Sequence, residues 1–528
     1  MKKSLSLSHI ENVLHHLNYR WQLQALAMWK GNKAPFKLYQ LYDTYEDFIS
    51  LKTLRDIENL DQGSDKTRLK HALIDHYLQR ALLPHETEMR SWMKGASAHV
   101  AGEKIYFKDI IPWCQKDSTY EKRQILQKET APLCKFLTPF ALNHWNILLK
   151  ILTDELGFEN YLDYCHKKKG VDYHYYYRLL KDLLLETDDL YFAAMEEWCR
   201  ERFSRPLDEL TRFDAINILG LGHLDPLFPK KPVTELTSFF DYWEIDLANT
   251  PGLNLEIERE KGKSSQAISF ILQVPEEVYV LMQPEGGWID LETLWHELGH
   301  GLSAVFTSPE LSAVNSDLAT SFSLSESFAF LNQNLTLSLP FLEDYLGIKP
   351  AVSQELSYYK VLKDLSLFRR YAAKFLAEYL GIKPAVSQEL SYYKVLKDLS
   401  LFRRYAAKFL AEYEMFSNGD LSNGQPYAEL MARYTGFYYQ PESHLFDLVP
   451  ELYSLDYILG WLTETIMESH LKEAAGPHWM FRPEAGRILK KWWGQGNQHE
   501  IPLFLKLNDL GELNTAPIIK RWKETLRD

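Results

Sequence analysis

The stretch "DLETLWHELGHGLSAVF", Asp290 to Phe306, places two histidines and a glutamate in the order H-E-x-x-H. On a helix, residues i and i+4 share a face, so His296 and His300 can offer two imidazoles to one ion. Glu297 then stands about a third of a turn away, beside whatever the imidazoles hold. A water-activating zinc site asks for this set, together with a third protein ligand and an open position for water. The four-residue pattern alone is weak, since two histidines on an exposed helix would read the same. Its flanks point away from exposure: Leu294, Trp295, Leu298, Leu302 and Val305 make the helix mostly apolar, and buried imidazoles need partners.

Three acids follow within reach of a third ligand position: Glu310, Asp317 and Glu326. Glu310 comes directly after Pro309 in a turn, and Asp317 lies in the polar stretch "NSD". Glu326 falls in "SFSLSESFAFLNQNL", a helical pattern, on a face with Phe322, Ala329 and Phe330, where an unpaired carboxylate is costly. A rival role exists, because Ser323 and Glu326 also fit the S-x-x-E capping box. The separation of 26 positions from His300 to Glu326 allows a loop and a return helix, which favours Glu326 as the ligand.

These residues need elements to hold them. Asp290 is placed to cap the motif helix. Before it, "AISFILQV" and "EEVYVLMQ", separated by Pro275, predict a β-hairpin, and "PEGGW" predicts a turn into the helix. The strand near Glu277 to Gln283 is a candidate for pairing with an extended peptide. Residues 1 to about 210 read as successive amphipathic helices, and "LDPLFPKKPV" marks a boundary after them. The expected division is therefore 1–210, an N-terminal helical region, and 211–528, the region with the chemistry.

One segment is abnormal. "LGIKPAVSQELSYYKVLKDLSLFRRYAAKFLAEY" occupies 346–379 and recurs unchanged at 380–413. Two copies of a single long helix do not make a helical repeat array, which needs more units to bury a core. Perfect identity indicates a recent duplication or a cloning artefact, from a parent of 528 − 34 = 494 residues. Each copy carries an apolar stripe, from Leu356 to Leu376 in the first and from Leu390 to Leu410 in the second, and a fold built for one such helix has one groove. Continuity of the chain expresses no preference between them, since either junction joins the parental sequence on one side.

Composition narrows the partners. Fifty-nine basic against 72 acidic residues give a net charge of −13, which argues against nucleic acid as a partner. The longest basic run, "KKKG" from Lys167, reads as a solvated turn. No run of apolar residues is long enough for a membrane span, and the N-terminus has no apolar signal core. Cys114, Cys134, Cys165 and Cys199 form no C-x-x-C pair and read as reduced thiols of a cytoplasmic protein.

"HELGHGL" followed by "SESFAFL" resembles the M3 family of zinc oligopeptidases, within the gluzincins. "MQPEGGWIDLETLWHELGH" is similar to that family's glycine turn and motif helix, and "LFRRYAAKFLAEYE", "LYSLDYILGWLTETIMESHL" and "RPEAGRILKKWW" resemble its C-terminal helices. The likeness covers about residues 214 to 510. It implies a mainly α, zincin-like metallopeptidase fold with a small β-sheet next to the H-E-x-x-H helix. It further implies one Zn2+ per chain on His296, His300 and Glu326, Glu297 as general base, and oligopeptide substrates. Tyrosines of the C-terminal helices would stabilise the oxyanion, and Tyr453 and Tyr457, four apart, share a helix face; two core tyrosines are the plain alternative. The sequence departs from the family at Ser303, where a histidine is common, and at Gln333, where a glutamate is common. His444 fits the family's substrate-binding histidine poorly and is left aside. A metallo-carboxypeptidase and an inactive helical binding protein remain as alternatives.

Overall fold

The structure is a computed structural model that describes residues 6–526 apart from 33–36, 61–62, 116–117, 228–232, 261–262, 264–266, 285, 337 and 349–385. The apolar periodicity of the first 210 residues becomes a series of helices, among them Leu7–Trp29, Ser64–Gly95, Tyr120–Lys150 and Tyr161–Lys169. A small antiparallel hairpin interrupts them, β1 Ser97–Val100 and β2 Glu103–Tyr106, joined by Ala101 and Gly102 at φ of 50° and 87°. This hairpin departs from the all-helical expectation for residues 1 to about 210, its two strands being joined by a two-residue turn. The largest apolar core extends from Ile10 to Trp522 and draws on both halves of the chain.

The expected hairpin is present as β4 Ile268–Gln273 and β5 Glu277–Met282, paired antiparallel. A third strand, β3 Leu253–Ile257, runs parallel to β5, so the sheet order is β3-β5-β4. This corrects the expectation for peptide pairing: β5 is the central strand, with its backbone engaged on both sides, whereas β4 is an edge. The sheet supports the motif helix, Trp288–Val305. A Cβ on Gly301 would stand 2.6 Å from Val280 Cγ2, so glycine lets helix and strand approach.

The motif helix starts three residues earlier than expected. Gly287, at φ 96°, is its N-cap, and the Trp288 amide donates to Asp225 at 2.9 Å. Asp290 lies inside the first turn and accepts from the Gly286 amide at 2.7 Å. A cap from a residue 63 positions away has no local sequence signal.

The second repeat copy forms the long helix Val386–Asn418. Tyr393, Leu396, Leu399, Phe402, Phe409 and Leu410 of its stripe are buried, and so are Lys394, Lys397, Arg403, Lys408 and Glu412, so it is enclosed on more than one side. The first copy lies almost entirely outside the described residues. The helix runs unbroken across the junction between Tyr413 and Glu414, and beyond it Met415 and Phe416 are buried, Phe416 against Tyr161 with ring centroids 4.3 Å apart. Seating the first copy here would force a 34-residue excursion in mid-helix. Continuity therefore does express a preference, for the second copy, because the junction falls within a helix.

"KKKG" is not a solvated turn. Lys168 and Lys169 are 8% and 4% exposed and close the helix Tyr161–Lys169, which Gly170 terminates at φ 68°.

Candidate metal centre

The motif helix packs against the helix Ser323–Leu335, which follows it in the chain order of the site. They meet at Gly299, where a Cβ would lie 2.5 Å from Ala329 Cα. A third helix, Tyr453–Ala475, approaches from the other side through Gly460, whose Cβ would lie 2.8 Å from Glu326 Cβ. Two glycines thus set the distances at which three helices bring their polar side chains together.

His296 Nε2 and His300 Nε2 lie 3.7 and 3.9 Å from Glu326 Oε2, and one donor atom from each residue falls within 4.8 Å of the others. The opposite ring nitrogens are occupied: His296 Nδ1 is 2.8 Å from Gln333 Oε1, and His300 Nδ1 is 2.8 Å from Ser325 Oγ. With Gln333 accepting the Nδ1 proton, His296 presents an Nε2 lone pair toward the shared point. Glu326 is 3% exposed; its Oε1 accepts from the Tyr453 hydroxyl at 2.7 Å, while its Oε2 has no hydrogen-bond partner. A buried carboxylate oxygen with two imidazole nitrogens facing it fits a tetrahedral cation with three protein donors. Burial pushes the Glu326 carboxyl up to about 8 and holds the His300 imidazole well below its usual range. Both shifts disfavour isolated charge here, which a bound cation would reverse.

The capping-box role for Glu326 is not what the structure displays. Ser323 is the first helical residue and donates to Asp456 Oδ1 at 2.5 Å, and no side chain caps this helix. Glu310 is exposed. Asp317 pairs with His15 at 3.0 Å and accepts from the Val274 amide, apart from the histidine cluster.

Glu297 is on the motif helix, on the side of edge strand β4. Burial raises its carboxyl above the usual range, and His296 and hydrogen bonds from Ser269 pull it back. The Ser269 hydroxyl also reaches the Glu297 carbonyl at 2.8 Å. Tyr453 and Tyr457 stand one turn apart with ring centroids at 4.9 Å, and both line the same cleft as Glu297 and Glu326. Burial raises both phenols, so they are neutral donors. Ser303 donates to the His300 carbonyl at 2.9 Å, and Gln333 orients His296. His444 is buried between the carbonyls of Pro441 and Leu421, away from the cleft.

Sequence reasoning missed Ser269, Ser325 and Glu292. Glu292 accepts from Gln333 Nε2 at 3.2 Å and from Lys397 Nζ at 2.7 Å, extending the chain of contacts behind His296. Ser325, adjacent to Glu326, could have been found by asking what orients the second imidazole. The cleft has a volume of about 890 Å³, with Arg68, Asp75 and His76 of the helix Ser64–Gly95 on its other wall.

A mainly helical chain, a small sheet beside an H-E-x-x-H helix and a return helix with a glutamate constitute a zincin-like fold. Among solved structures, the chain is similar to metallocarboxypeptidase 1 of Trypanosoma cruzi, at 15% identity and a TM-score of 0.57, with 99% of each chain covered. No family model and no curated protein sequence matches the chain. No helix among the described residues is long and apolar enough to cross a membrane, and all four cysteines are free and buried.

Proposed function

We propose that the protein is a zinc-dependent peptidase that cleaves bonds within short oligopeptides, an M3-type oligopeptidase of the cytoplasm with one zinc per chain. The observation that carries this reading is the partnerless Glu326 Oε2 facing His296 Nε2 and His300 Nε2. His296, His300 and Glu326 would hold the zinc, which would supply Lewis acidity for activating water and polarising the scissile carbonyl. Glu297, raised by burial, takes the proton of the attacking water and hands it to the leaving amine. Tyr453 and Tyr457 donate to the oxyanion of the tetrahedral intermediate, Tyr453 after turning from Glu326. Edge strand β4, with Ile268, Ser269 and Ile271 on the cleft, offers its backbone to an extended substrate. In this reading residues 211–528 carry the chemistry and 1–210 wall the cleft.

The name of the structural neighbour favours a second reading, removal of C-terminal residues. That activity needs a cation for the terminal carboxylate. Among the described residues the cleft cations are Arg68 and Lys168. Arg68 already holds the carbonyls of Asn497 and Gln498, at 2.6 and 3.1 Å, and Lys168 holds Asp75 and Glu451. Their engagement supports internal cleavage. The test combines zinc stoichiometry with products from an internally quenched peptide amidated at its C-terminus. One zinc and internal fragments are expected, with zinc and turnover lost in His296→Ala, His300→Ala and Glu326→Ala. Trimming of only the free-acid peptide would establish the carboxypeptidase, and full zinc in Glu326→Ala would remove that ligand.

A further inference from the structure

The helix that carries the two tyrosines begins under strain. Glu451 and Leu452, directly before Tyr453, have φ of 57° and 49°. Neither is glycine, and two consecutive left-handed residues persist only where the surroundings hold them.

What holds Glu451 is the helix Tyr161–Lys169. The Glu451 amide donates to the Tyr161 hydroxyl. Its carbonyl accepts from Lys169 Nζ at 2.9 Å, and its Oε1 accepts from Lys168 Nζ at 2.6 Å and from the Tyr164 hydroxyl at 3.2 Å. Tyr161, Tyr164 and Lys168 are spaced i, i+3, i+7, so a single helix face meets the turn. Lys168 also holds both oxygens of Asp75 at 2.8 Å. Lys169 pairs with Asp456, and its Nζ lies 5.7 Å from the centre of the Tyr453 ring. Asp456 in turn accepts from Ser321 and Ser323 at 2.7 and 2.5 Å, at the start of the Glu326 helix.

We infer that Tyr161, Tyr164, Lys168 and Lys169 are positioning residues that clamp the left-handed turn at Glu451 and Leu452 and thereby fix where Tyr453 and Tyr457 stand over the cleft. The inference rests on the peptidase reading, in which those hydroxyls meet the substrate carbonyl. It gives the N-terminal helices a part in the chemistry without contact with the reacting atoms. The amide, the carbonyl and Oε1 of Glu451 are all met from one helix, which a turn of no consequence would not require.

The test uses zinc-loaded, full-length protein carrying Tyr161→Phe, which deletes one hydroxyl, or Lys168→Met. Lys168→Arg serves as the conservative rescue. Tyr453→Phe sets the scale, with kcat expected to fall about 10²-fold. Each clamp variant is expected to lower kcat about 10-fold at unchanged zinc and KM. In a Tyr453→Phe, Tyr457→Phe background that loss should shrink to within about twofold, since the clamp acts through hydroxyls already gone. Equal losses in both backgrounds, or unchanged kcat, would overturn the inference. If Lys168→Met does not fold, Tyr161→Phe decides. Hydrogen exchange separates this inference from the peptidase reading. The amides of 451–457 should exchange faster in Tyr161→Phe while those of 288–305 do not change, whether or not a peptide is cleaved. Uniformly faster exchange would mean general destabilisation and no clamp.

Discussion

The duplicated segment allows an experiment with a built-in control. Lys397 and Lys363 occupy equivalent positions in two identical stretches, and Lys397 is in the copy that fills the groove. Its Nζ is 2.7 Å from Glu292 Oε1 and 4.2 Å from the centre of the Trp288 ring, with lysine and glutamate each 5% exposed. Lys397→Met keeps most of the stem volume and removes the charge, leaving the Glu292 carboxylate buried with only the Gln333 amide. Breaking a buried pair from one side costs about 3–5 kcal/mol, and the lost cation–π contact adds about 0.5–2 kcal/mol. Glu292 also steadies Gln333, which orients His296, so zinc affinity should fall about 10-fold or more. Lys363→Met, in the same local sequence, should change stability by less than about 0.5 kcal/mol.

The assay is thermal and denaturant unfolding of the zinc-loaded protein, with zinc affinity from competition against a chelator. The double variant should match Lys397→Met alone. Two harmless single variants with a crippled double would show that the copies exchange in the groove, and a damaging Lys363→Met with a silent Lys397→Met would seat the first copy. Either result refutes the continuity argument.

Glu297→Gln should keep one zinc per chain while turnover falls by orders of magnitude, read by metal analysis and peptide hydrolysis on one preparation; near-normal turnover would exclude Glu297 as the base. After metal chelation, folded protein holds the Glu326 proton up to about pH 8, whereas the unfolded chain releases it near 4.5. Stability of the metal-free protein should therefore fall as pH rises through that window, by a few kcal/mol at most, with about that loss absent in Glu326→Gln; unfolding midpoints across pH with both proteins decide it. Removing 346–379 or 380–413 yields the same 494-residue chain, 528 − 34, and it should be soluble, at least as stable and at least as active; a product that binds no zinc would make both copies structural.

The parts of the site that were legible in the sequence are those fixed by local spacing. His296 and His300 share a helix face by arithmetic, and Glu326 stood out because a carboxylate among Phe322, Ala329 and Phe330 needs a reason. The two strands flanking Pro275 were legible for the same local cause. What escaped was set by tertiary contacts. Strand β3 is visible only by its pairing, and that pairing is what turns β5 from an edge into the centre of the sheet. Asp225 caps a helix 63 residues on, and "KKKG" looks solvated unless Glu451 and Asp456 are known to face it. A charge run carries no mark of the carboxylates that will bury it.

Gln333 shows how a histidine can be oriented by an amide whose partner carboxylate lies one residue further out. A glutamate there would place a carboxylate against His296 directly, but in this chain Gln333 Nε2 lies 3.2 Å from Glu292 Oε1. Two buried carboxylates at that distance repel strongly, so one would hold a proton or the packing would yield. Gln333 avoids this by using both ends of its amide, accepting from His296 and donating to Glu292, while Lys397 neutralises the carboxylate beyond. His296 is thus oriented without added negative charge beside the metal position. Gln333→Glu alone should therefore destabilise the protein by about 1–3 kcal/mol, whereas combining it with Glu292→Gln and Lys397→Met, which removes the cation that Glu292→Gln would leave unpaired, should recover most of it by exchanging the two roles. The restored carboxylate should also make His296 the better donor and strengthen zinc binding relative to the single variant. Unfolding midpoints and chelator competition on the three proteins measure both effects. Equal destabilisation in the single and combined variants would show that Gln333 and Glu292 do not act as a pair.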